Sequence, residues 1–541
     1  MSCFSKVFEK SDEFKSLAGS ININGAAVGA TGVSDAVKAH MIHSLIQEKG
    51  EKAVIIMPDE ASAVRMSENL GAVQAGVLFY PAREFTFQHV AGVSRDFEHI
   101  RLGVLSKIIN EEYTAIVCSV NAATQLTMPP QELKKRTIVI KSGAQIDFDS
   151  LVSRLVFAGY SRYEQVDGTS QFAIRGGIID IFPPGASEPV RIELWGDMVD
   201  SISSFDISTQ RRTGNLSEIE LIPATEVLFE SNEKFIKKLR ALAESLKGKA
   251  IKAREGIYAD IDSLESGVSL PCCDKYMPLA YESSGIFDYL SGLLFVCESS
   301  KVKERSQNSE RLMLEQIKWY LEDGTLCKGL DKYQLGFEEL RQIYSSHGAV
   351  YLDSLPRGSF DTPVAHLSSF AVQSFNAWSG KTEDLKEDIA PLLKNGYTVC
   401  VMAGTARSAK ALAYDLNDDG INAVFSNGYP LEFQKGAVTV TTGTITAGFV
   451  LPAAKFALIT HMKAQMQKAK KHKANAKNAI HSLDELSVGD YIVHNVHGIG
   501  IFEGIHALEL NKVKKDYIKI SYAKGDVLYV PVTQLDLVSK Y

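Results

Sequence analysis

A few short stretches of this chain carry residues suited to catalysis or ligand binding. The first, "GATGVSDA" (Gly29–Ala36), has the rhythm of a phosphate-binding loop, with Gly29 and Gly32 ahead of a helical pattern. A working loop of that type ends in Gly-Lys-Ser/Thr: the lysine meets the phosphates and the hydroxyl holds Mg²⁺. Ser34, Asp35 and Ala36 stand in those places here. Asp35 puts negative charge where the lysine belongs, Ala36 has no oxygen for a metal, and Ser34 adds a side chain where the turn prefers glycine. Gly29, Thr31, Gly32, Ser34, Asp35 and Ala36 are therefore expected to form a degenerate nucleotide loop without hydrolytic activity. Its helix N-terminus suits no more than weak binding of a phosphate or sulfate.

The other candidates read as structure. "SGKT" (Ser379–Thr382) supplies Gly-Lys-Thr, but Phe375 occupies the place of the approaching glycine. Asp59 and Glu60 in "IIMPDE" are acids of a helical first turn. His494 and His497 have no Cys or His cluster to complete a metal site, and "HGIGIFEG" places its glycines in a strand-rich segment, as a turn. No catalytic residue, metal site or cofactor is expected in this chain.

The elements that carry these stretches follow from composition and pattern. A chain of 541 residues with 45% hydrophobic and 23% charged residues is ordinary globular material, enough for three or four domains of about 150 residues. No apolar run approaches the roughly 20 residues of a membrane helix. The seven cysteines are scattered without C-x-x-C spacing and the N-terminus has no secretory pattern, which predicts a cytoplasmic protein with no membrane partner. A net charge of −7 argues against non-specific DNA binding by the whole surface.

Strands and helices alternate over residues 1–125, predicting a parallel α/β domain. Residues 126–220 carry short strands punctuated by Gly-Gly and Pro-Pro-Gly, predicting an inserted antiparallel domain. Residues 221–350 have helical spacing. A second α/β unit, of uncertain role, is expected at 351–461, then a lysine-rich linker at 462–483. For that linker, a solvated connection and transient contact with nucleic acid are both open. Residues 484–541 are dense in strands and glycine turns, predicting a small β-barrel of the SH3 or Tudor kind. The fold class is thus multidomain, mixed α/β and α+β.

Two strand patterns suggest partner surfaces. In "VRIELW", Val190, Ile192 and Leu194 share one face while Arg191, Glu193 and Trp195 share the other; in "QFAIRGG", Arg175 lies opposite Phe172 and Ile174. Arg175, Arg191 and Trp195 are hot-spot residue types. Alternatively, Arg191 pairs with Glu193 or another acid and Trp195 caps the core edge. In "DYIKISY", Ile518, Ile520 and Tyr522 face inward, and Tyr517 and Lys519 outward. Leu508 is either ordinary core or a contact.

Two long motifs carry a resemblance. "FAIRGGIIDIFPPGASEPVRIELWGDMVDSISSFDISTQR" is similar to the part of the bacterial transcription-repair coupling factors shared with UvrB, and "GDYIVHNVHGIGIFEGI" with "KDYIKISYAKGDVLYVPVTQLDLVSKY" resembles their RNA-polymerase-interacting, CarD-type module. "FYPAREFTF" and "SRDFEHIRL" fit the first domain of that family. The resemblance implies that Arg175, Arg191 and Trp195 contact UvrA, and that Leu508, with Tyr517 and Lys519 beside it, binds the RNA polymerase β subunit. It also implies that "GATGVSDA" corresponds to the phosphate loop of UvrB. The link from "FYPAREF" to "AIVCS" leaves no room for the strand-separating hairpin of UvrB. ATP, Mg²⁺ and duplex DNA are expected mainly through a translocase motor that this chain lacks. The reading is a non-catalytic adaptor. Its rivals are an ATP-dependent DNA-remodelling enzyme of the helicase type and a DNA-binding scaffold using the lysine linker.

Overall fold

Apolar runs without alternation fold as strands buried on both faces, and those of the first α/β domain do so. "AVGAT" (Ala27–Thr31), "AVIIM" (Ala53–Met57) and "AIVCS" (Ala115–Ser119) are buried at every position. Among the described residues they belong to a parallel sheet of seven strands. Its order is Val364–Ser369, Ala27–Thr31, Val350–Asp353, Leu293–Cys297, Ala53–Met57, Ala115–Ser119 and Val77–Tyr80.

The structure, a computed structural model, describes residues 3–22, 25–87, 95–246, 250–266, 268, 270, 273–281, 283–461, 488–494, 498–510, 513–522, 527–531 and 538–540. They form two units, 1–461 and 462–541.

The stretch 221–350, expected to be helical, also supplies strands. Leu293–Cys297 lies in the middle of the first sheet beside Val350–Asp353, and Val364–Ser369 forms its edge, so the first sheet also takes the start of the stretch 351–461. Their short apolar runs are buried at every position in the two central strands. The second sheet begins only at Gln373–Phe375. Its order is Gln373–Phe375, Gly448–Leu451, Phe456–Thr460, Thr398–Met402, Val438–Thr441 and Ala423–Ser426. Helices Asn232–Ser245, Ile251–Glu265 and Ser299–Asp323 supply the helical part.

Helix Asp35–Lys49 lies between the two sheets. Every residue from Ala36 to Ile46 is buried, whereas a surface helix would leave a polar face in water. One side packs on its own sheet. The other meets Phe449, Phe456 and Leu458 of the second in a single continuous core. His40 sits there between Phe4, at 4.5 Å, and Phe449, at 5.0 Å. Desolvation, helped by His43, pushes its imidazole down to about 3, so it is neutral.

The inserted domain is a six-stranded sheet in the order Arg212–Leu216, Met198–Phe205, Val190–Trp195, Ile178–Ile181, Gln171–Arg175 and Ser161–Tyr163. It is antiparallel as expected, except that Ser161–Tyr163 pairs parallel with Gln171–Arg175. Gly176 closes the Arg175–Ile178 hairpin at φ 60°. The next residue admits no side chain: a Cβ on Gly177 would lie 2.8 Å from the Leu194 carbonyl oxygen, which explains "IRGG".

In the second unit, Val527–Pro531, Val513–Ser521, Gly498–Leu510, Tyr491–His494 and Val538–Lys540 form an antiparallel sheet in that order. Ile492, Phe502, Ile518, Ile520 and Val530 make its core, with Tyr522 partly buried against them.

Candidate partner-binding surfaces and the loop at Gly29–Ala36

The loop is a strand–turn–helix, as read from its glycines, but its surroundings are filled. Gly32 has φ 75°, and a Cβ there would lie 2.0 Å from the Phe370 carbonyl oxygen. Phe370 N–H donates to the Thr31 carbonyl at 2.8 Å. A Cβ on Gly29 would fall 2.9 Å from Leu367 and 3.0 Å from Phe360. Ser34 takes the N-cap position without making a cap bond. Asp35 points outward, its side chain 75% exposed, and Ala36 is buried.

A lysine does occur nearby, one turn into the helix. The Lys38 side chain has no exposure and its ammonium donates to Asp35 at 2.6 Å, to Ser354 Oγ at 3.1 Å and to Glu298. Glu298 also accepts from Ser354 N–H at 3.0 Å. Beside this pair, Asp353 accepts from the backbone and hydroxyl of Ser299, both at 2.7 Å, and from Arg357 at 3.1 Å. These groups occupy the carboxyl ends of parallel strands, where open α/β sheets ordinarily receive ligands. Sequence reading passed over Lys38 because it lies three residues beyond the motif position; only the acid directly after "LLFVC" hinted at its partner.

On the inserted domain the strand register places Arg175, Asp180, Arg191, Glu193 and Trp195 on one face. The alternation of Val190–Trp195 is as expected, with Val190 and Ile192 buried. Trp195 is 81% exposed, with Met198 directly opposite and 47% exposed; it does not cap the core edge. Arg191 is paired, though not with Glu193. It makes a two-pronged bond to Asp180, Nε to Oδ1 at 2.7 Å and Nη2 to Oδ2 at 2.9 Å. Arg175 donates to the same carboxylate at 2.7 Å. Glu193 instead accepts from Arg212 and, at 3.0 Å, from Ser201. Asp180 was legible only through parity: in "IIDIF" it falls on the side opposite the buried Ile179 and Ile181.

This domain is joined to its neighbours through buried charge. Arg101 donates to Glu226 at 2.6 Å, Arg83 to Asp274 at 2.9 and 3.1 Å, and Arg95 to Glu98 at 2.8 Å. Glu98 also accepts from Glu226 N–H at 2.7 Å and Thr225 Oγ1 at 3.0 Å. The network ties helix Asp96–Ile109 to the chain leaving the inserted domain and to the helical part. Burial pushes the Glu98 carboxyl up, but Arg83 and Arg95 outweigh it and hold it at about 2. A depressed carboxyl gives stability that is present above its unfolded value and lost as pH falls through the folded one. Unit 1–461 is therefore expected to lose stability between about pH 4.5 and about pH 2. Glu98→Gln should flatten that part of the profile in urea unfolding; an unchanged slope would contradict the assignment.

In the second unit, Lys519 lies opposite Tyr529 in the register and its ammonium pairs with Glu503 at 2.7 Å. Leu508 and Tyr517 stand in neighbouring strands, opposite Lys515 and His506. Their side chains, with the lysine-rich linker, lie outside the described residues.

Comparison with known proteins gives these two surfaces a common context. Residues 138–227 match the family described as the UvrB interaction domain, and residues 486–541 match the CarD-like/TRCF RID domain. The chain thus carries matches to both modules. Along nearly its whole length it is similar to transcription-repair-coupling factors. That of Bacillus subtilis (strain 168) is 31% identical over 555 residues, covering 98% of this chain and 46% of the relative. Those of Staphylococcus epidermidis (strain ATCC 12228 / FDA PCI 1200) and Staphylococcus aureus (strain MRSA252) are 27% and 26% identical over 94% of this chain and 45% of each relative. The chain spans about half the length of the curated relatives it matches. Among the described residues, no helix is long and apolar enough to cross a membrane.

Proposed function

We propose that this chain is an adaptor in transcription-coupled DNA repair, binding UvrA through the inserted domain and the RNA polymerase β subunit through the second unit. The observation that carries this reading is the presence on one chain of both modules, the first presenting a clustered Arg175–Trp195 face with an indole almost wholly in solvent. An exposed aromatic beside an arginine suits a protein hot spot. The C-terminal sheet acts as an SH3- or Tudor-like polymerase module, with Leu508, Tyr517 and Lys519 on its binding side.

The chain performs no nucleotide hydrolysis through Gly29–Ala36. Asp35 and Ala36 lack the needed charge and oxygen, and Lys38 is engaged by carboxylates of the fold. The loop is a degenerate phosphate loop kept as scaffold. ATP-driven translocation on duplex DNA is not assigned to these residues.

The test is a pull-down from bacterial lysate, scored for UvrA and polymerase β. Both should be retained. Leu508→Arg should remove polymerase β while leaving UvrA bound. ATP turnover by the purified chain that disappears on changing Asp35 or Lys38 would overturn the adaptor reading in favour of an enzyme. Salt-sensitive duplex binding without UvrA capture would favour a DNA scaffold.

A further inference from the structure

We propose that Asp180 is a positioning residue for partner binding: it fixes Arg175 on the exposed face by sharing one carboxylate with Arg191. Arg191 then acts through Asp180, without touching the partner. The inference rests on the reading of this face as the UvrA-binding surface.

The three side chains differ sharply in exposure: 1% for Asp180, 15% for Arg191 and 51% for Arg175. Asp180 stands directly opposite Arg191 in the sheet, and the Gly176–Gly177 turn brings Arg175 back over it. Oδ1 takes the Nε of Arg191; Oδ2 takes Nη2 from both arginines. Arg191 spends its remaining donors inside the domain. Nη1 and Nη2 reach the carbonyl and side-chain oxygens of Gln210 at 3.4 Å, and its guanidinium lies 4.7 Å over the Phe205 ring. Such an arginine has little left to offer a partner.

Arg175 is the opposite case. Among the described residues its hydrogen bond is to Asp180 alone, so most of its guanidinium fork remains open. A long exposed arginine loses conformational entropy on binding. An anchor on one nitrogen removes part of that cost in advance while leaving the rest of the fork free. Two arginines against one aspartate also leave a positive charge on this face, since Glu193 is neutralised by Arg212. The matching partner surface is a carboxylate to meet the open fork, next to an apolar pocket for the Trp195 indole. Charge alone in the sequence suggests two equivalent arginine contacts; the geometry divides them into a contact and its support.

A double-mutant cycle on UvrA affinity, using the whole chain, tests this. Loss of a charge-assisted bond corresponds to roughly a tenfold weakening or more, expected for Asp180→Asn and for Arg175→Ala. The double variant should bind within about twofold of Arg175→Ala alone, because Asp180 matters through Arg175. Wild-type affinity in Asp180→Asn, or an undiminished loss when it is added to Arg175→Ala, would overturn the inference. If Asp180→Asn does not fold, Arg191→Lys takes its place in the same cycle. It keeps the charge but loses the two-pronged geometry, and is held to the same outcomes. A wild-type chain that fails to bind UvrA overturns the functional reading and this inference together, whereas binding untouched by the cycle overturns this inference alone.

Discussion

Lys38→Met is expected to destabilise unit 1–461 by about 3–5 kcal/mol, the usual cost of stranding one member of a buried ion pair. The Lys38 side chain has no exposure and that of Glu298 only 12%. Methionine fills much of the same volume, so the loss is chiefly electrostatic: Glu298 keeps a charge met only by the exposed Lys301 ammonium, 3.7 Å away. Removing both charges should restore much of the stability, because an ion pair replaced as a unit often costs little. Urea unfolding of Lys38→Met, Glu298→Gln and the double variant measures this. A single variant as stable as wild type would show that the pair does not hold the ends of these strands together. The same variants separate structure from chemistry. If Lys38 serves the fold, wild type and variants alike should show no nucleotide turnover.

The second large effect concerns recognition. Trp195→Ala should weaken UvrA binding by roughly 30-fold or more, the range of an aromatic hot spot worth about 2 kcal/mol or above. Its effect on unfolding should stay within about 0.5 kcal/mol, because the ring is exposed and supports no core. Arg191→Ala should behave differently, losing both affinity and stability, since it abandons a buried carboxylate and the Phe205 ring. Titration of each variant with UvrA, alongside its thermal unfolding, distinguishes the cases. Unimpaired UvrA binding by Trp195→Ala would place the interface elsewhere.

Much of this was readable from single residues, within limits set by range. The alternation in "VRIELW" and the continuous apolar runs of the first sheet are local signals, and they define faces and strands reliably. "IRGG" marked a turn because a Cβ there meets backbone. The partners of charged groups were not readable in this way. Arg191 has Glu193 two residues away on its own face, yet takes Asp180 across the strand pair, where the two-pronged geometry is available. Lys38 finds Glu298, 260 residues later. Arg101 and Glu226 are 125 residues apart and meet only because the inserted domain returns to the helix it left. Likewise the helical spacing of 221–350 concealed Leu293–Cys297, which is too short to register beside a helix of 25 residues, and the boundary expected after residue 350 cut through Val350–Asp353.

The strand order of the first sheet bears on how the chain is made. Ala27–Thr31 leaves the ribosome well before its permanent neighbours, Val350–Asp353 and Val364–Ser369. At about 5–20 residues per second, roughly a quarter-minute to a minute of synthesis separates them. Throughout that interval both edges of an apolar strand lack their final partners, while Ala53–Met57 and Ala115–Ser119 can already pair with each other. Nascent chains of this protein therefore carry a long-lived open sheet, and its biosynthesis should depend on chaperone cover until translation passes about residue 370.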